Sequence, residues 1–252
     1  MELAAGKKIY FLSDFHLGAP NDIESRKRED RLVNFLNHAK QDAAAFFIVG
    51  DIFDFWFEYK TVVPKGFVRI LGCLAQISDA GIPIHIFTGN HDLWMNDYLA
   101  KELNAKVYFE PHAFTLGNKK FYIGHGDGLG PGDYGYKRLK KIFTNTFCQW
   151  LFRWLHPDAG IQLANYFSAK SRAKTGSADE VFLGEDNEWL IVYTKQMAKE
   201  MDVDYFVFGH RHYAIDFAIN ERTKYINLGD WIRLNTYGVF DGAQLQLLKW
   251  ES

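Results

Sequence analysis

The sequence predicts an α/β fold with a helical cap inserted over the carboxyl ends of its strands. Three observations lead there. Apolar strands alternate with amphipathic helical stretches through the first half, the pattern of parallel pairing with right-handed crossovers. Strand after strand ends in glycine followed by an acid, an amide or an imidazole. Between Leu129 and Gly176 the alternation breaks and helical periodicity replaces it, before strands resume. The main domain is therefore expected from residues 1–128 and 177–252, with 129–176 as the cap.

The organising stretch is AAAFFIVGDIFD, Ala43 to Asp54. Its apolar run has no wet face and belongs in the middle of a sheet covered on both sides. It stops at Gly50-Asp51, placing a carboxylate where open α/β sheets bind ligands.

In chain order, Lys8 to Ser13 is a short strand followed by Asp14-Phe15-His16. A helix is expected over Ile23 to Lys40, with Leu32, Phe35, Leu36 and Ala39 on its apolar face. After the central strand, Val68 to Ala80 has helical spacing closed by Gly81, and Ile82 to Thr88 is a strand ending in Gly89-Asn90-His91-Asp92. A short helix includes Leu99 to Leu103, and weaker strands follow at Lys106 to Phe109 and Ala113 to Leu116. Lys119 to Ile123 ends in Gly124-His125-Gly126-Asp127. In the cap, helices are expected at Tyr136 to Leu155 and Gly160 to Arg172. Glu188 to Met201 is a sheet-covering helix, and Tyr205 to Phe208 is a strand ending in Gly209-His210-Arg211-His212. The remainder reads as antiparallel strands at 213–219, 223–228, 236–240 and 245–249.

Composition narrows the classes of function. A formal net charge of -2 over 252 residues supplies no global basic field, so nucleic acid is not an expected partner. The two cysteines, Cys73 and Cys148, lack CxxC partners and read as core thiols of a reducing compartment. The opening MELAAGKK is too polar and short for a signal peptide, and no apolar run reaches the ~20 residues of a spanning helix. Composition predicts no oligomeric state. Aromatic residues make up 17% of the chain, including 22 Phe and 7 Trp, which poses the question of whether all are buried.

Collected from the strand ends, Asp14, His16, Asp51, Asn90, His91, His125, His210 and His212 form one chemical set. Asp14 and His16, or His210 and His212, would point to one side if their segments were extended. Carboxylate, amide oxygen and imidazole without thiolate suit Mn²⁺, Fe²⁺ or Zn²⁺. Asp14, His16, Asp51, Asn90, His125, His210 and His212 are too many for one tetrahedral ion and suit two, with Asp51 as the bridging carboxylate. Asp54 and Asp127 are expected to accept hydrogen bonds from ligand imidazoles or to anchor loops.

DFH at Asp14, GDIFD at Gly50, GNHD at Gly89, GHGD at Gly124 and GHRH at Gly209 resemble, in order and without a gap, the motif series of the calcineurin-like metallophosphoesterases. That resemblance implies a four-layer αββα sandwich of two mixed sheets and a hydrolase with two divalent ions. Asp14, His16, Asp51 and His212 would hold one ion and Asp51, Asn90, His125 and His210 the other. His91, oriented by Asp92, would act with Asn90 on the phosphoryl oxygens or the leaving group.

The cap, with its YFSAKSRAKTG segment, is similar to that of the UDP-2,3-diacylglucosamine pyrophosphatases of lipid A synthesis. The resemblance implies Mn²⁺-dependent cleavage of an acylated UDP-sugar to UMP and 2,3-diacylglucosamine 1-phosphate by a cytoplasmic enzyme peripheral to the inner membrane. Lys170, Arg172 and Lys174 would contribute to a phosphate- or sugar-binding wall. Phe143, Phe147, Trp150 and Trp154 would line an acyl groove or rest on the membrane, or else be buried beneath the cap. In the third motif His91 stands where the best-known branch has arginine, which keeps another nucleotide, lipid pyrophosphate or phosphodiester open as substrate.

Overall fold

The computed structural model describes residues 1–131, 134–175 and 181–251, with the side chains of residues 169 and 171–175 outside that description. Strand β1 (Lys8–Leu12), helix α1 (Asp22–Ala39), strand β2 (Ala43–Val49), helix α2 (Val68–Asp79) and strand β3 (Ile84–Phe87) form the alternating first part. Helix α3 (Tyr98–Glu102) and strands β4 (Lys106–Tyr108), β5 (His112–Leu116) and β6 (Lys119–Ile123) follow. Helices α4 (Tyr134–Phe143), α5 (Thr146–Arg153) and α6 (Pro157–Thr175) occupy the region expected as the cap. Helix α7 (Trp189–Glu200) then precedes β7 (Tyr205–Phe208), β8 (Ala214–Ala218), β9 (Lys224–Leu228), β10 (Thr236–Phe240) and β11 (Leu245–Lys249).

The strands form two mixed sheets, in the order β11-β10-β1-β2-β3-β4 and β5-β6-β7-β9-β8. Parity along β2 explains why they stack. Phe46 and Ile48 face Leu32, Phe35 and Leu36 of α1 and Leu74 and Ile77 of α2. Ala45, Phe47 and Val49 face the other way, onto Phe121, Ile123, Val207 and Ile226 of the second sheet. That sheet's outer side, with Phe206, Phe208 and Tyr225, is covered by Leu190 and Ile191 of α7. The result is the expected four-layer αββα sandwich, with a strand apolar on both faces at its centre.

Two expectations are corrected. The final strands are not a simple antiparallel set: β9 lies parallel to β7, while β10 and β11 cross to the first sheet, where β10 pairs with β1. The single helix expected over Tyr136 to Leu155 is two, because the Asn145 side chain accepts from the N–H groups of Phe147 and Cys148 and starts α5 afresh.

The N-terminus of α2 follows Phe67, whose left-handed backbone (φ 58°) provides no side-chain cap. Glu29 of α1 supplies it, one buried carboxylate oxygen accepting from Arg69 N at 3.1 Å and Ile70 N at 3.0 Å. Glu29→Ala is therefore expected to destabilise the fold by about 2–3 kcal/mol and Glu29→Gln by less, as measured by urea unfolding. Equal losses would show that side-chain volume, not the cap, is what matters.

Candidate metal centre

The carboxyl ends of β1, β2, β3, β6 and β7 meet on one side of the sandwich, and the loops leaving them are stitched together. Asp14 N donates to Gly50 O at 3.1 Å, His16 N to Asp51 O at 2.9 Å and Gly209 N to His125 O at 2.9 Å. His210 N donates to Asp14 Oδ2 at 3.0 Å, joining the two sheets at the centre. Asp14, His16, Asp51 and His210 have φ of 56°, 45°, 53° and 67°. Side chains that were expected to converge by strand alternation instead converge through left-handed turns just beyond the strands. Four non-glycine residues in that region cost about 1–3 kcal/mol each, held by the surrounding loops. Backbone must also pass close by. A β-carbon at Gly89 would collide with Asp51 Oδ1, and one at Gly50, itself at φ 87°, with His125 Nδ1.

Within this frame acceptor atoms face one another. His16 Nε2 lies 3.2 Å from His212 Nε2, 3.5 Å from Asp51 Oδ2 and 3.7 Å from Asp14 Oδ1. His212 Nε2 is 3.4 Å from Asp14 Oδ1, and His125 Nε2 is 3.2 Å from Asp51 Oδ2. Asn90 Oδ1 is 3.1 Å from His125 Nε2 and 2.8 Å from His210 Nδ1. His125 Nδ1 donates to Val49 O at 2.8 Å, so in the neutral ring the Nε2 lone pair points at Asp51 and Asn90. Asp14 Oδ1 is buried with no hydrogen-bond donor. Converging lone pairs and an orphaned carboxylate oxygen fit positive ions between them. Three triads have ligand atoms within 4.8 Å of one another: Asp14, His16 and His212; Asp14, Asp51 and His125; and His16, Asp51 and His91. Asp14, His16 and Asp51 each occur in two of them, so the triads overlap, as a dinuclear site with adjacent ions requires.

The electrostatics make the same demand. Burial alone would lower the imidazole of His16, but Asp14, Asp54 and Asp51 outweigh it and raise its pKa to about 10. His125 is likewise raised well above its usual value, against burial, chiefly by Asp51. Burial would raise Asp14 and Asp51, yet the surrounding imidazoles hold both below the usual carboxylate range. Protons on the histidines stand in for cations that bound metal would supply.

Asp92 does not orient His91, as expected from the sequence. Its Oδ1 accepts from Gly89 N at 2.7 Å and its Oδ2 from Ile52 N at 2.8 Å, tying the third motif to the second. Burial and then Asp51 push its carboxyl up to about 7. His91 is set instead by its main-chain N–H, 2.9 Å from Asp51 Oδ1, and by its ring Nδ1, 3.0 Å from Asp54 O. Asp54 Oδ1 stands 3.5 Å from His16 Nδ1, beside the imidazole it was expected to accept from, but no hydrogen bond forms between them. Asp127 anchors a loop to the cap, accepting from Tyr136 Oη at 2.5 Å and pairing with Lys140 at 2.8 Å.

The four cap aromatics separate. Phe143, half-buried, packs on Trp94 at 5.5 Å between ring centres, and its carbonyl accepts from Trp94 Nε1 at 2.6 Å, so it docks the cap on the main domain. Phe152 docks beside it on Trp94 and Phe57, and both Trp56 and Phe57 are buried. Phe147, Trp150 and Trp154 face outward, 62%, 50% and 75% exposed, which removes the expectation that the cap buries them. Lys170 is exposed on α6, while the side chains of Arg172 and Lys174 lie outside the described residues.

Comparison with known proteins adds a decisive observation. Residues 7–214 match the calcineurin-like phosphoesterase family model. The chain belongs to this family. Among curated relatives, a UDP-2,3-diacylglucosamine hydrolase of Porphyromonas gingivalis is 40% identical, with 95% of this chain and 96% of that protein covered. A protein of the same name from Hahella chejuensis is 29% identical over 94% and 95%, and one from Actinobacillus succinogenes 26% over 89% and 92%.

Two residues of this phosphoesterase site escaped the sequence. Asp230, beyond β9, lies 3.9 Å from His212 Nδ1 through Oδ2, and its Oδ1 accepts from Arg233 N at 2.7 Å. The run YINLGD carries the same strand-glycine-acid signature as the motifs and could have been found by it. Ser168 lies within the YFSAKSRAKTG segment, of which only the basic residues are singled out. For the metal-free protein, raised histidine pKa values mean that stability from His16 is full below its usual value of 6.5 and lost as pH rises through about 10. Adding Mn²⁺ or Zn²⁺ at pH 7.5 must displace those protons, and titration calorimetry in buffers of differing ionisation enthalpy should detect at least one released per chain. Heats that ignore the buffer would contradict this. Asp51→Asn should weaken metal binding and lower phosphoesterase turnover by about two orders of magnitude or more.

Proposed function

We propose that this chain hydrolyses the pyrophosphate of UDP-2,3-diacylglucosamine, releasing UMP and 2,3-diacylglucosamine 1-phosphate. The observation that supports it most is the 40% identity to a UDP-2,3-diacylglucosamine hydrolase across nearly the full length of both chains. Asp14, His16, Asp51 and His212 would hold one divalent ion and Asp51, Asn90, His125 and His210 the second, with Mn²⁺ preferred over Fe²⁺ or Zn²⁺. Bound there, the pair supplies a water acidified toward neutrality and positive charge for the phosphoryl oxygens.

The chain's own residues do the rest. His125 keeps its Nδ1 proton on Val49 O, fixing Nε2 toward the ions. Asp92 locks the second and third motifs together, so Asn90 and His91 keep their places when charge builds on phosphorus. His91, whose pKa burial lowers, reaches the phosphoryl oxygens or the leaving group as a neutral ring near pH 7.

The cap supports a lipid substrate. Phe147, Trp150 and Leu151 of α5 and Trp154 at its C-cap share one face at helical spacing and are all exposed, which suits acyl chains or a membrane surface bearing them. Arg138 and Lys141 of α4 and Arg153 of α5 are exposed and suit anionic headgroups. The association proposed is peripheral, at the cytoplasmic face, and no helix among the described residues is long and apolar enough to cross a membrane. One observation favours a second reading: His91 in place of the arginine of the best-known branch leaves another nucleotide or lipid pyrophosphate as the alternative substrate.

With Mn²⁺ present, UMP should appear from the diacylated UDP-sugar with kcat/KM at least about tenfold above that for its non-acylated counterpart. Equal rates would remove acyl recognition. Trp150→Ala should raise KM for the acylated substrate several-fold and leave a short soluble phosphodiester unaffected; equal losses on both would make the stripe structural.

A further inference from the structure

The cap touches the metal centre through Ser168 of α6. Its hydroxyl lies 3.0 Å from Asp54 Oδ2, 3.4 Å from Asp54 O and 3.1 Å from His91 Nδ1. A hydroxyl has one proton and two lone pairs. The Asp54 carboxylate can only accept, so it takes that proton and leaves Ser168 Oγ to accept from His91. The other partner of the same nitrogen, Asp54 O at 3.0 Å, is a carbonyl and also only accepts. Both neighbours therefore require the ring proton on Nδ1, which leaves the lone pair of neutral His91 on Nε2.

Other links seat the cap without reaching His91. Trp94 holds Phe143 and Phe152, and Asp127 holds Tyr136 and Lys140. Near the start of α6, a β-carbon at Gly160 would meet Tyr59 Oη at 2.5 Å and Phe152 Cζ at 3.2 Å, so glycine permits close approach there. These contacts bring α6 down. Ser168 converts that position into an orientation of His91.

We propose that Ser168 is a positioning residue: seated in the cap, its hydroxyl bridges Asp54 and His91 and fixes the His91 ring in the Nδ1–H tautomer, facing the reacting phosphoryl group. The inference rests on the proposed role of His91 at that group. Seating of the cap over a substrate would then complete the catalytic arrangement, and an unseated cap would leave the His91 ring to Asp54, its carbonyl at 3.0 Å and its Oδ1 at 3.7 Å, without the bridging hydroxyl.

The test is a double-mutant cycle with a conservative control. Ser168→Ala is expected to lower kcat for the acylated UDP-sugar about tenfold with KM changed less than about twofold, and Ser168→Thr, which keeps the hydroxyl, to restore it within about threefold. In a His91→Ala background the same Ser168→Ala change should have no further effect. A readout independent of turnover is the long-range ¹H–¹⁵N spectrum of the His91 ring in the diamagnetic Zn²⁺-loaded protein. Wild type should show the Nδ1–H tautomer and Ser168→Ala a mixture. An unchanged tautomer in Ser168→Ala overturns the proposal, as does a rise in KM alone or an equal kcat loss with and without His91. If wild type releases no UMP, the assigned reaction fails; the cycle is then read on a soluble phosphodiester and the ring spectrum still decides the role of Ser168.

Discussion

Asp14, Asp51 and Asn90 direct oxygen lone pairs, and His16, His125 and His212 ring nitrogens, into one buried space. The carboxylates of Asp14 and Asp51, buried and with oxygens within 4.8 Å of each other, repel unless positive charge lies between them. Without metal the histidines answer with protons, which is why His16 and His125 are raised while Asp14 and Asp51 are lowered. The same cluster therefore takes positive charge in one of two forms, as protons on its imidazoles or as divalent ions. The left-handed turns at Asp14, His16, Asp51 and His210 are strained for the same reason, since an extended loop would spread these acceptors apart.

That constraint explains the sandwich. No single sheet offers enough strand ends to surround two ions. Stacking β2 of the first sheet on β6 and β7 of the second, through Phe47, Val49, Ile123 and Val207, brings two sets of strand ends to one edge. The hydrogen bond from His210 N to Asp14 Oδ2 then closes the joint, so packing of the inter-sheet core and geometry of the centre are one problem. A cavity at Phe47 or Val49 would move the carboxylate of Asp51 as surely as a change in the loop.

Much of this was legible because the physical requirement is local. A run such as AAAFFIV followed by Gly-Asp records burial on two faces, an abrupt stop and a carboxylate at the stop, all within a dozen residues. What could not be read depends on partners distant in the chain. Nothing in Asp92 itself says that its oxygens take the N–H groups of Ile52 and Gly89 and not the His91 ring. The crossing of β10 to the first sheet is equally silent, because apolar alternation fixes a strand's faces but not its neighbours. The break at Asn145 was legible in principle, since Asn is a preferred helix start, but the unbroken apolar periodicity on both sides outweighed it.

The cap then solves a problem that the metal centre creates. Under the proposed reaction, an open edge of this kind would act on any phosphoester reaching it, and the five motifs contain no selectivity for an acylated one. Helices α4 to α6 meet the centre through polar contacts to acids within the motifs, Asp127 through Tyr136 and Lys140 and Asp54 through Ser168. Their outward side presents Phe147, Trp150 and Trp154 to the surroundings. Under the proposed reaction, an apolar ligand on the outer stripe and a phosphoryl group at the inner acids engage the same three helices. Acyl binding on one side would stabilise the seating that Ser168 transmits to His91 on the other, so lipid recognition would act on turnover as well as on affinity.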